Sequence, residues 1–365
     1  MMQKILIVMR SIIFLIYVAC FLPTILFAHE AESIKVVVVG DTGIGERAFH
    51  PGFDAVQKAM RQEKADAILH LGDFVYQPEK FPKKCPDRYI KEIKEKLVRP
   101  YPVRIFVAGD NDLPPKMWKP KASGCWDRIA PMATSFDWLP QKTLPPEKRE
   151  GVMSLETVLF VVLNVYEWKD PASWLKPVIK KARQKGNWVI FALHEPAVTT
   201  AWYKEKRQTI LKQINQLKPD LVFAGNQHSY ERFFPMGLPL ANGTLPVTKQ
   251  SKYKRGQGVT HVVSGGGGAL FKPFADQQNH PKRTAPNAVS NALAKRALMF
   301  HYLTLEISHD ALTAKTFRVC PPQPAPEEKQ NPRWRADDPM WKNIALECDG
   351  KEAGVMVFDQ FEIRK

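Results

Sequence analysis

The chain has 365 residues, 44% of them hydrophobic and 25% charged, with 53 Lys and Arg against 37 Asp and Glu, a formal net charge of +16. That composition is globular and allows a well-buried core in one large domain or two ordinary ones. A basic surface favours anionic partners, but no long Lys/Arg run with interleaved aromatics is present, so the sequence carries no specific nucleic-acid signal.

Residues 1–28 place Lys4 and Arg10 ahead of the uncharged apolar stretch SIIFLIYVACFLPTILFA, the pattern of a signal peptide. The expectation is an exported protein, periplasmic or secreted; an uncleaved membrane anchor is the alternative, and only that would bring the chain to a membrane. Cys20 belongs to the apolar segment. The other four cysteines, Cys85, Cys125, Cys320 and Cys348, lack the close spacing of a thiolate zinc site, and an even count in an exported chain points to two disulfides. Three pairings are open. Cys85 with Cys125 and Cys320 with Cys348 is expected, because each pair brackets one Pro- and Lys-rich irregular stretch.

Apolar runs of strand length then recur at 33–41, 66–73, 103–110, 157–165, 187–194, 220–225 and 260–266. Most lack clean alternation, as strands covered on both faces do. Helical patterns lie between several of them, at 48–64, 88–98, 171–185 and 203–217, so the order is that of an α/β fold. After 300 the character changes: HYLTLEI and ALTAKTFRV read as an antiparallel pair around SHD, and VMVFDQFEI as a last strand. The stretch PPQPAPEEKQNPRWRADDPMWK between them is too rich in proline and charge for a core and reads as a surface loop.

Five apolar runs finish on a polar cluster: GDTG (40–43), GDFVY (72–76), GDND (109–112), HEP (194–196) and GNQHSYER (225–232). A single Gly-Asp after a strand is an ordinary turn or cap, since Asp caps well and Gly permits the turn. Three such ends followed by two that bear histidine form one pattern, and strand ends in an α/β sheet converge on one edge.

This series resembles the calcineurin-like metallophosphoesterase superfamily, and within it the purple acid phosphatases, over roughly residues 34–319. The resemblance implies a four-layer α/β fold, with two mixed β-sheets packed as a sandwich and helices on the outer faces, in which residues 320–365 add a loop and a final strand. It implies hydrolysis of phosphate esters, monoesters first and diesters second, by a hydroxide held at a two-metal site. Its substrate would be a phosphorylated small molecule or another anion. Carried over residue by residue, Asp41, Asp73, Tyr76 and His228 would hold a ferric ion. Asp73, His194, Asn226 and either Asp110 or Asn111 would hold a second ion, which could be Fe, Zn, Mn or Mg. A phenol titrates near ~10, so Tyr76 at such a position argues for a strong Lewis acid such as iron.

The chain departs from that pattern twice. Asn226 stands where the family has an imidazole, which favours a loosely held or harder second ion. The third motif lacks its histidine: by one register Asn111 occupies that place, by the other Asp112, which would then be the candidate acid beside His194. Asp112 as a turn aspartate that orients its neighbours is the alternative. These departures support a rival reading, a degenerate member that binds anionic ligands without turnover. His70, the glycine run 264–268, Tyr230 and Arg232 are lesser candidates for a supporting role.

Overall fold

Runs rich in Val, Ile and Leu become strands wherever both of their faces can be covered. In the computed structural model β1 (Ile34–Val39), β2 (Ala67–His70) and β3 (Val103–Phe106) lie side by side in parallel, and β6 (Val158–Leu163), β7 (Trp188–Leu193), β8 (Leu221–Ala224) and β11 (Thr260–Ser264) form a second parallel group. Residues 33–365 are described, apart from 45–49, 77–84, 117–121, 135–136, 139–148, 203, 242–243, 278–283, 323–345 and 349. The apolar start read as a signal peptide and most of the proline-rich stretch read as a surface loop lie outside the described residues. Among the described residues no helix is long and apolar enough to cross a membrane.

Further strands, paired antiparallel except for the parallel β10–β15 pair, complete both sheets. β10 (Lys252–Lys254), β15 (Gly354–Arg364), β14 (Ala311–Cys320) and β13 (Phe300–Ile307) precede β1, β2 and β3 in a seven-stranded sheet. β12 (Leu293–Ala297) at the edge and β9 (Tyr230–Phe233) next to it precede β11, and β5 (Gly151–Leu155) and β4 (Asp137–Trp138) follow β6, in an eight-stranded sheet. Both sheets are mixed, as expected.

The period-2 geometry of a strand sorts each run into two layers. Val36 and Val38 of β1 face the core between the sheets, with Leu69, Ile105, Phe160, Ile190 and Phe223, whereas Val37 and Val39 face outward. There α1 (His50–Gln62) covers them with Phe53, Val56 and Met60, beside α2 (Asp87–Ile93) and α3 (Trp126–Ile129). On the other sheet α4 (Ala172–Gln184) buries Leu175, Ile179 and Ala182, and α5 (Lys206–Leu217) buries Ile210, Ile214 and Leu217, spacings that make one stripe on a 3.6-residue helix; α6 (Asn287–Ala292) adds Val289. The result is the four-layer sandwich: helix, sheet, sheet, helix.

Two features lock the layers. The disulfides are Cys85–Cys125 and Cys320–Cys348, the pairing expected from the bracketing of irregular stretches. Between the sheets, Arg232 of β9 donates to Asp359 of β15 from Nε at 2.6 Å and Nη2 at 3.0 Å, and the Tyr230 hydroxyl donates to the same carboxylate at 2.8 Å, all three residues being buried. Tyr230 and Arg232 are thus bonded inside the sandwich, in a supporting structural role. Strand alternation turns them inward.

Candidate metal centre

The polar ends of β1, β2, β3, β7 and β8 meet. Asp41, Asp73 and Asn226 each leave their strand with a left-handed backbone, at φ of 56°, 55° and 65°, three of the six non-glycine positive-φ residues among the described residues. Asp and Asn are the residues that tolerate this region, and such strain concentrates at functional sites. The glycines ahead of them allow close approach. A Cβ on Gly225 would lie 2.7 Å from Asp41 Oδ2 and 2.9 Å from the Leu71 carbonyl oxygen, and Gly72, at φ 91°, passes against the His194 ring.

Asp41, Asp73 and His194 each present a ligand atom within 4.8 Å of the others, and all three are buried. On one side of this group the Tyr76 hydroxyl lies 2.8 Å from Asp41 Oδ1, 2.8 Å from Asp73 Oδ2 and 2.9 Å from His228 Nε2. His228 Nδ1 is bonded to the Leu270 carbonyl, so the lone pair on Nε2 faces inward. On the other side His194 repeats the arrangement: Nδ1 donates to the Leu71 carbonyl at 2.6 Å. His194 Nε2 lies 3.3 Å from both Asp73 Oδ1 and Asp110 Oδ1, aligned for a hydrogen bond with neither.

This donor set fits metal ions. Two buried imidazoles have their tautomers fixed by backbone carbonyls and direct Nε2 at carboxylates that cannot donate to it, the usual way a protein orients imidazole ligands. Buried carboxylates at this density need counter-charge. The protonation tendencies agree. Burial would lower the His194 imidazole, yet Asp73 and Asp110 outweigh it and raise it well above its ordinary value. Burial, then Asp41 and Asp73, push the Tyr76 phenol well above its ordinary value, so only a cation would free its proton. Oxygen donors mixed with imidazole suit Fe, Mn, Zn or Mg.

The third motif divides. Asn111 is turned to Asp73, donating from its backbone N–H to Oδ1 at 2.8 Å and from Nδ2 to Oδ2 at 2.5 Å, while Asp110 faces His194. Asp112 is fully buried, and its carboxylate accepts the N–H groups of Phe74 at 2.9 Å, Val75 at 3.2 Å and Gly109 at 3.1 Å, which ties the third motif to the second. Burial, then Asp73, raise its carboxyl well above the ordinary range, with the backbone donors opposing. Asn226 contributes its N–H to Asp41 Oδ2 at 2.8 Å, and its side chain is partly exposed. His70 supports the second motif from below: Nδ1 accepts the Gly72 N–H at 3.2 Å, Nε2 donates to Thr42 Oγ1 at 3.0 Å, and the ring stacks on Phe74. The glycine run packs its backbone on the first motif, with Gly267 N–H donating to Gly40 at 3.0 Å and Ala269 N–H to the Asp41 carbonyl at 2.9 Å.

Other residues join the cluster without having been singled out in the sequence. Tyr166, just past β6, donates to Asp110 Oδ1 at 3.0 Å. Lys272 places its ammonium 2.7 Å from the Asn226 carbonyl oxygen. Next to His194 in sequence, the buried Glu195 holds Lys204 at 3.0 Å, Arg207 at 3.2 Å and Lys206 at 3.3 Å. The signal for Tyr166 was available: LNVYEW ends the one parallel strand of the second sheet, β6, that precedes the histidine strand. The signal for Lys272 was not, because 46 residues separate it from Asn226.

A family model described as calcineurin-like phosphoesterase matches residues 34–230, over half of the chain. The chain is similar to a protein of Arabidopsis thaliana named "Probable inactive purple acid phosphatase 1", 25% identical over 69% of this chain and 44% of that one. It is also similar to a protein of Mus musculus named "Acid phosphatase type 7", 23% identical over 66% of this chain and 57% of that one. Among solved structures, the purple acid phosphatase isolated from yellow lupin (Lupinus luteus) seeds superposes with a TM-score of 0.60 at 18% identity, covering 92% of this chain and 54% of that one, a likeness of fold. The chain therefore spans about half the length of these relatives.

Proposed function

Since the chain belongs to the calcineurin-like phosphoesterase family, we propose that it is a phosphoric ester hydrolase, a monoesterase in the first instance, working with two metal ions held by the clustered strand ends. Asp41, Asp73, Tyr76 and His228 would hold one ion, iron, and Asp73, His194, Asn226 and a third-motif residue the other. The observation that carries this reading is the pair of histidines, each with Nδ1 tied to a backbone carbonyl and Nε2 aimed at buried carboxylates.

When bound, two such ions supply Lewis acidity to a phosphoryl oxygen and to an attacking water. The chain's own groups do the rest. Asp73 has Oδ1 3.3 Å from His194 Nε2 and Oδ2 2.8 Å from the Tyr76 hydroxyl, and it is held by two donors from Asn111, so its oxygens have fixed directions. Asp112 is better suited to positioning than to proton donation, because three backbone N–H groups occupy its oxygens. Lys272, beside Asn226, would give a phosphorylated substrate a favourable field. Export is part of the reading, supported by the N-terminal pattern and by two disulfides of the kind that persist in oxidising compartments.

The test is metal analysis of the purified chain with its visible spectrum, followed by hydrolysis of an aryl phosphate. About two ions per chain, one of them iron, with a charge-transfer band lost in Tyr76→Phe and turnover lost in Asp73→Asn, is the expected result. The second reading, an anion-binding protein without turnover, is favoured by Asn226 at an imidazole position. It takes the lead if phosphate binds but no ester is hydrolysed after iron and manganese are resupplied.

A further inference from the structure

We propose that Tyr166 is a positioning residue of the second ion site, fixing the Asp110 carboxylate as the third-motif ligand and so tuning that site toward a hard divalent ion, Mn(II) or Mg(II), over Zn(II). The inference rests on the two-ion reading and says what this chain has done with it. It also decides between Asp110 and Asn111.

Three atoms define the second site. His194 Nε2 stands 3.3 Å from Asp73 Oδ1 and 3.3 Å from Asp110 Oδ1, and its other nitrogen is committed to the Leu71 carbonyl. Asn111 is the neighbour of Asp110 in sequence but not its equivalent in space. Both of its donors go to Asp73, so its carboxamide presents nitrogen to the Asp73 carboxylate and serves that carboxylate. Asp110 is the third-motif group that shares the approach to the imidazole lone pair.

A carboxylate that ligates through one oxygen needs that oxygen aimed, and the Tyr166 hydroxyl does this by donating to Oδ1 at 3.0 Å. The tyrosine is well placed to be rigid. It follows β6, the neighbour of the strand that delivers His194, and its ring lies 6.2 Å from the His194 ring. The chemistry of the set then follows. The site then has carboxylate oxygens from Asp73 and Asp110 and one nitrogen from His194, and Asn226, which stands where the family resemblance puts an imidazole, could add only an amide oxygen. Loss of an imidazole is offset by a second negative charge, and the balance moves from nitrogen to oxygen. Such a set suits Mn(II) or Mg(II) better than Zn(II).

The test strips the full chain with a chelator, restores iron at the tyrosine-bearing site, and follows Mn(II) binding by electron paramagnetic resonance, with Zn(II) as competitor. Tyr166→Phe, which keeps the ring, is expected to weaken Mn(II) binding about 10–100-fold, the usual effect of removing a ligand's supporting hydrogen bond. The tyrosinate band and the unfolding temperature of the metal-free protein should not change. Asp110→Asn should weaken Mn(II) binding as well, with no further loss in the double variant. Asp110→Asn combined with Asn226→His should recover second-ion binding with Zn(II) now preferred. Wild-type Mn(II) affinity in Tyr166→Phe, with two ions bound, overturns this inference alone. Loss of the iron band in Tyr166→Phe overturns it too, by showing a general defect. A wild-type chain that binds a single ion overturns the two-ion reading along with it.

Discussion

His261 sits in the middle of β11, buried, with Nε2 donating to Asn215 Oδ1 at 2.9 Å; Asn215 is itself fixed by donating from Nδ2 to the Gly237 carbonyl at 3.0 Å. Burial lowers its imidazole from 6.5 to about 3. The unfolded chain therefore binds a proton below about pH 6.5 that the folded chain refuses until about pH 3. Stability from this group is complete above pH 6.5 and falls as pH drops through that window. At pH 5, about 1.5 units below the unfolded value, the loss is about 2 kcal/mol. His301, bonded to Ser264 Oγ at 3.0 Å and lowered by burial to about 4, adds a similar amount at that pH. Against a typical total of about 5–15 kcal/mol this is a large share. Urea unfolding of wild type and His261→Gln at pH 7.5 and pH 5.0 measures it. The fall in unfolding free energy between the two should be smaller by about 2 kcal/mol in the variant. Equal falls in the two proteins would refute the assignment of this acid sensitivity to His261.

Two further outcomes concern the framework. Asp359→Ala leaves the Arg232 guanidinium buried with no carboxylate and removes the acceptor of Tyr230, so denaturant unfolding should show a loss of about 3–5 kcal/mol; a change under about 1 kcal/mol would mean that water reaches the pair. Replacing Cys85 and Cys125 together by Ala opens a loop of 40 residues, and the chain-entropy estimate is a loss of about 4 kcal/mol, read from the same kind of curve with the Cys320–Cys348 bridge intact.

The fold was legible because its parallel strands are buried on both faces and so appear as unbroken apolar runs, 34–39 and 158–163 among them. Their polar ends were legible for the same reason, as abrupt changes from Val or Leu to Gly-Asp or His. Short strands were not: β5, β9 and β12 have too few apolar residues to separate from loop, and β9 hid inside what read as the tail of a motif. The candidate site was legible only where a side chain follows its own strand. The carbonyls of Leu71 and Leu270, which decide which nitrogen of His194 and His228 faces inward, are backbone groups with no sequence signature. Lys272 reaches the cluster through tertiary packing, whereas Tyr166 closely follows the end of β6. Tyr230 and Arg232 had the composition of a site but the parity of a core.

The first sheet also imposes an order of events. Ile34 of β1 pairs with Ile307 of β13, and β13 is bound in turn by β14 and β15. A chain leaving the ribosome or a membrane pore from its N-terminus presents Asp41 and Asp73 early, but the strand that flanks β1 arrives almost at the end. Pairing over so long a separation is slow to form. The carboxylate cluster should therefore mature late, after nearly the whole chain is available. Loading of the proposed ions would then be a finishing step, and a protein interrupted before β13 would carry Asp41 and Asp73 without the scaffold that aims them.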